Sequence, residues 1–186
     1  MHAPSTATAH RNPMQRSAQL RLVSLEHLKC SVLARVGPWP TARHNFRAAS
    51  AQWSALDVID HLEKTERAIL AALNAHTGSP VSIGFGDRLK SAALIALFRR
   101  NVRVKAPPGA TAIFPCGTRS LDAIASDWAG TRVDLTSFLQ SDPPSGGGIF
   151  LHPVAGWMSL DSTLAFLESH IVHHGFQIDR IEKASA

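Results

Sequence analysis

Residues 160–183, LDSTLAFLESHIVHHGFQIDRIEK, set Leu164, Leu167, Ile171, His174, Ile178 and Ile181 at alternating steps of three and four. That rhythm lays one apolar seam along a helix, the kind that packs inside a bundle. Ser159 precedes it as the N-cap, where a hydroxyl accepts an amide proton that the first turn leaves unpaired. One seam position is out of character. His174 stands where the pattern demands an apolar side chain, and His170 lies four residues earlier on the same face. Cβ atoms at that spacing are about 5–6 Å apart, so both imidazoles can reach one metal ion with bonds of about 2.0–2.1 Å. Burying such rings without a partner is costly.

Working back along the chain, the same periodicity recurs. A helix over 54–75 carries Ile59, Leu62, Ile69 and Leu73, with Glu66 interrupting the stripe. Ser54 and Asp57 form an acidic capping box at its start, and Gly78 and Pro80 end it. Residues 15–36 present Leu22, Leu25, Leu28, Val32 and Val36 before Gly37-Pro38. A shorter helix is predicted over 89–104, closed by Pro107-Pro108-Gly109. Another spans 120–140 through Leu121, Ile124, Trp128, Val133, Leu135 and Phe138. Residues 141–158, with Pro143-Pro144 and Gly146-Gly147-Gly148, read as loop. No segment alternates with period two, so the fold class is all-α: a four-helix bundle plus a short extra helix. The gaps at 37–53 and 141–158 are each long enough to run the length of a bundle. Two such crossovers predict an up-up-down-down order.

Composition excludes several classes. The apolar runs are only a few residues long, so no segment is predicted to span a membrane. Cys30 and Cys116 are too few and too far apart for a disulfide framework or a paired-cysteine zinc site, and a cytoplasmic location is expected. The formal net charge is +5, but the basic residues are spread thinly. The run 99–105 (Arg99, Arg100, Arg103, Lys105) has only Phe98 beside it, whereas single-strand binding uses interleaved aromatics. Nucleic-acid binding is therefore the disfavoured reading. There is no tyrosine, which leaves histidines, carboxylates or a metal for acid–base work. Residues 1–14 lack acids and read as a flexible tail, with 15–186 as the domain.

A third ligand is available. His61 sits beside Leu62 in the second long helix and becomes a ligand if that helix and the last are neighbours with these residues level. Three protein nitrogens leave an open position for water or substrate, the arrangement of a catalytic site. Zn, Ni, Fe and Cu all suit imidazole.

Two motifs, WSALDVIDHLEKTE (53–66) and HIVHHGFQIDRI (170–181), resemble the DinB-like superfamily, which includes the YfiT-type metal-dependent hydrolases. The VKAPPG segment (104–109) and HPVAGWMS (152–159) are similar too. The resemblance covers about 18–183. It implies a four-helix bundle of up-up-down-down order and a divalent metal, Zn, Ni or Fe, on His61, His170 and His174. Relatives include thiol-dependent S-transferases and hydrolases, so the resemblance also implies a small-molecule substrate and a low-molecular-weight thiol as co-substrate. In such chemistry the metal lowers the pKa of a bound thiol or water. The competing reading is a non-catalytic helical module that binds a partner or serves in stress.

Supporting roles follow from position. Gln177 can orient an imidazole or touch substrate, and Asp57 can accept the free N–H of His61. Glu66 is either a base near the metal or a partner of Lys64 or Arg67. His152 can close over the pocket. His173 is predicted to be exposed, and the cysteines to be core or loop residues. The run 99–105 is either a solvated face or a carboxylate site for a thiol. Trp39, Phe46 and Trp157 are left over as apolar surface that leaves room for a homodimer.

Overall fold

A buried capping box at Ser54 fixes the start of one long helix. Ser54 Oγ accepts the Asp57 amide at 3.2 Å, and Asp57 Oδ2 accepts the Ser54 amide at 2.8 Å. In the computed structural model, which describes residues 13–102, 110–144 and 146–185, this box opens α3. The elements are α1 (Pro13–Val36), α2 (Thr41–His44), α3 (Ala55–Ala75), α4 (Phe85–Arg99), a 3₁₀ turn (Ala110–Ile113), α5 (Leu121–Gln140), strands β1 (Phe150–His152) and β2 (Gly156–Met158), and α6 (Leu160–Ala184). None of the described helices is long and apolar enough to cross a membrane. The tail read over 1–14 lies largely outside the described residues, although α1 already begins at Pro13.

The chain is all-α with one small hairpin, and α6 is its hub. It packs against α1, α3 and α4, while α5 packs against α3 and α1. Leu25, Ile59, Leu62, Ile124, Trp128, Leu135, Leu164 and Ile178 are almost fully buried between them. The predicted α6 seam is buried along its length. Because α4 covers a further side, Phe166, Ser169, His170 and His173 are buried as well.

The order of the helices departs from up-up-down-down. On α1 and α6 the ion pairs rise together: Arg21 meets Asp161 and Glu168, and Arg35 meets Asp179 and Glu182. These two helices run in the same direction. Between α3 and α5, Arg119 just ahead of α5 meets Asp60 and Glu63, and Glu66 meets Trp128 and Arg132, so they also run together. On α1 and α5 the sense is opposite, Gln15 with Asp142 and Arg132 near Glu26. The long helices therefore run up-down-down-up. Length misled the sequence reading. The segments 37–54 and 141–159 join helices that scarcely touch, so they cross the bundle ends diagonally instead of running along it. Arg43 of α2, for example, donates to the Glu182 carbonyl near the end of α6 at 3.0 Å. The crossover that does run lengthwise is 76–120, which contains α4.

Other expectations change locally. The short helix spans Phe85–Arg99, displaced toward the N-terminus from the predicted 89–104. Residues 150–158 form an antiparallel hairpin, with three-residue strands too short to display alternation. At its turn Gly156 has φ +74, and a Cβ there would meet Asp87 Oδ1 at 2.3 Å. Val133 is exposed; Thr131 and Arg132 take the buried face of α5 instead. Trp39 is buried under Arg43, and Phe46 packs against the core, so neither supplies free apolar surface. Cys30 and Cys116 are both exposed.

Candidate metal centre

His61 follows the α3 capping box by less than two turns, and α3 lies directly against α6. The box therefore fixes where His61 meets the facing rings. His61 Nε2 is 3.2 Å from His170 Nε2, and His174 Nε2 is 3.1 Å from the same atom. The ligand atoms of all three lie within 4.8 Å of one another, and all three residues are buried. The condition placed on His61 is met, since α3 and α6 are neighbours and the three rings converge.

The remaining ring nitrogens decide the protonation pattern. A carbonyl can only accept, so His61 Nδ1–H donates to the Ile113 oxygen at 2.8 Å. His174 Nδ1–H donates to Gln177 Oε1 at 2.9 Å. Each of these rings then turns a bare Nε2 lone pair inward. Burial pushes His170 well below the ordinary histidine range, helped by His174 and His61 beside it. Burial, then His61, takes His174 down to about 3. Burial also lowers His61. The single N–H of a neutral His170 can be given to only one of the two inward lone pairs that lie 3.1–3.2 Å from its Nε2, whereas a cation between the rings would serve all three nitrogens. Three nitrogens bound tetrahedrally at about 2.0–2.1 Å stand roughly 3.3 Å apart. The residues fit a divalent ion.

Ile113 is placed by Asp60, the neighbour of His61. Asp60 accepts the Cys116 amide at 3.1 Å and pairs with Arg119 at 2.7 Å and Lys64 at 2.9 Å. Lys64 in turn donates to the Phe114 carbonyl at 3.1 Å. Partial burial pushes the Asp60 carboxyl up, but the hydrogen bonds from Lys64, Arg119 and Cys116 outweigh it, and the net shift is downward. The segment after the 3₁₀ turn is thereby tied to α3. A backbone carbonyl has no residue identity, so nothing in the sequence singles out Ile113.

The rings border a cavity of about 660 Å³. Its walls are Trp53, Ile69, Leu94, Phe98, Phe150 and Phe166, and no Asp or Glu lines it. Trp53 stacks on His174 with ring centroids 6.1 Å apart and lies 4.8 Å from His61. His152 does line the cavity, packed edge-on against Phe166 at 4.8 Å. His173 corrects the expectation of exposure. It is buried with its ring stacked on Phe98 at 4.7 Å, because α4 covers that side of α6. Gln177 lies at the cavity edge and holds His174.

Other candidates are placed elsewhere. Asp57 serves the capping box and pairs with Arg47 at 2.7 Å, leaving His61 to Ile113. Glu66 is buried away from the cavity, accepting Trp128 Nε1 at 2.8 Å and facing Arg132 at 2.9 Å. The expected partners of Glu66 are otherwise engaged: Lys64 pairs with Asp60 and Arg67 with Glu63. Arg99 lies 3.7 Å from Glu168, whereas Arg103, Lys105 and the 104–109 motif fall outside the described residues.

Comparison with known proteins adds one match. The family model described as the DinB superfamily matches residues 25–178, which include all three converging histidines. No curated protein and no solved structure matches the chain.

Proposed function

We propose that this chain, which belongs to the DinB superfamily, is a metal-dependent enzyme that activates a thiol or water for attack on a small substrate. The observation that carries the reading is the convergence of His61, His170 and His174 at the wall of a large, largely apolar cavity. Those three residues would hold a divalent ion; imidazole donors suit Zn, Ni and Fe, the metals that the family resemblance implies. When bound, such an ion lowers the pKa of a coordinated thiol or water and so supplies a nucleophile at neutral pH. The protein's own groups do the rest. Ile113 and Gln177 hold the His61 and His174 tautomers, which keeps both Nε2 lone pairs directed inward. Trp53, Phe98 and Phe166 exclude water and offer apolar surface to the substrate. Neither cysteine lines the cavity, so the nucleophile is read as coming from a bound small molecule.

The test is elemental analysis of untagged protein. About one divalent ion per chain is expected, with loss of that ion in His174→Ala and His170→Ala while the helical circular dichroism is retained. Unchanged metal content in both variants would defeat the assignment. For the thiol, the cobalt-substituted protein should gain thiolate-to-metal charge-transfer absorption when a low-molecular-weight thiol is added. If only the absorption change is missing, water replaces thiol as the nucleophile.

A further inference from the structure

The seam between α4 and α6 borders a second cleft that shares no lining residue with the histidine cavity. It is about 840 Å³ and is lined by Arg21, Arg88, Arg99 and Arg100, by Trp157, and by the first turn of α6. Four guanidiniums here face two carboxylates. Arg21 takes Asp161 at 2.7 Å and Glu168 at 2.7 Å, and Arg99 has only Glu168, at 3.7 Å. Arg88 and Arg100 have no side-chain partner among the described residues. The cleft therefore carries an uncompensated positive charge. It is also long: Arg99 stands eleven positions after Arg88, a rise of roughly 16 Å along α4. Arg88 stands at one end, level with the first turn of α6, which Ser159 already caps. Arg99 and Arg100 belong to the other end, and Arg21 lies between, bridging Asp161 in the first turn of α6 and Glu168 two turns on. One orthophosphate would sit against one of these ends, whereas a chain of phosphates, with the long arginine side chains reaching inward, would meet both.

We propose that this cleft binds a short chain of phosphate groups, either free or carried by a nucleoside, with Arg88 and Arg100 supplying the uncommitted guanidiniums. Guanidinium matches phosphate oxygens in a planar fork, which makes arginine the fitting residue for such a ligand. The inference does not depend on the metal reading. Titration calorimetry of the full chain with sodium tripolyphosphate, at constant ionic strength, is the test. Saturable binding of one tripolyphosphate per chain is expected. It should weaken about tenfold or more in Arg88→Gln/Arg100→Gln and stay unchanged in Lys90→Gln, an exposed α4 cation outside the cleft. It should also persist in His174→Ala, which separates this cleft from the histidine site. ATP binding more tightly than tripolyphosphate would assign the nucleoside form, through Trp157, and equal or weaker binding the free chain. Absent saturation, an equal loss in Lys90→Gln, or loss of binding in His174→Ala would overturn the proposal. Both replaced arginines are exposed at the surface, so the double variant is expected to fold, and the single Arg100→Gln gives the same test with less change.

Discussion

His152 is held neutral by two separate features of its surroundings. Burial lowers it from the ordinary histidine value to about 4, and its Nδ1 accepts the amides of Val154 and Ala155, both at 3.1 Å. A protonated ring would lose those two bonds. The folded pKa lies below the unfolded one, so the unfolded chain takes up a proton first as pH falls. Stability is therefore full above about pH 6.5 and is lost progressively down to about pH 4. The thermal midpoint should fall over that window, and His152→Gln should flatten the fall; equal slopes in the two proteins would exclude His152 as a contributor. Among single residues, His170 and His174 were legible because a polar ring on an apolar seam violates the pattern. His61 was legible only conditionally. Its role depends on which helix faces α6, and no local signal states that. His173 was misread for a related reason: the one-sided seam of α6 shows one buried face, and the second was created by α4.

Caps and turns carry the argument at the level of elements. The Ser54–Asp57 box was visible as spacing and is present with both reciprocal hydrogen bonds. Its loss should be felt twice. Ser54→Ala is expected to cost about 0.5–2 kcal/mol, which for a chain of this size is a drop in thermal midpoint of roughly 2–4 °C per kcal/mol. Because the same turn sets the register of His61, metal affinity should fall as well, measurable by competition with a chelator. A stability loss with unchanged affinity would show that the α6 contacts alone fix that register. Ser120 and Ser159 cap α5 and α6 in the same manner, each accepting an amide from three residues on. The β1–β2 hairpin was not legible. Three-residue strands carry no period, and the hairpin is held by Asp87 of α4, whose carboxylate accepts the Trp157 amide at 3.3 Å, a contact between segments far apart in sequence.

Helix direction is settled only over the whole molecule. The parallel course of α1 and α6 rests on two ion-pair clusters separated along both helices. A cross-linking experiment can check it. In a Cys30→Ala/Cys116→Ala background, cysteines replacing Arg35 and Glu182 should join through a short dithiol-directed reagent, while cysteines replacing Arg35 and Asp161 should not. The reverse outcome would restore an antiparallel pair and the up-up-down-down order. The buried charges follow the same logic of scale. Glu66 interrupts an apolar stripe in α3, and its partner Arg132 lies on α5, where it replaces the expected apolar face. Burial pushes the Glu66 carboxyl up and lowers Arg132, and each offsets part of the other's shift. Neither residue alone explains its own burial.

Periodicity and caps are properties of neighbouring residues, so the sequence by itself determined the long helices, the buried seam of α6 and the paired imidazoles on it. Loop length is also local, but it does not say whether a connection runs along a bundle or across its end; that was decided when α4 took the lengthwise return. Packing likewise chose the face that His173 presents, the carbonyl that holds His61, and the meeting of three nitrogens contributed by two helices. Each of these depends on distances between segments remote in sequence, and such distances exist only once the chain has packed.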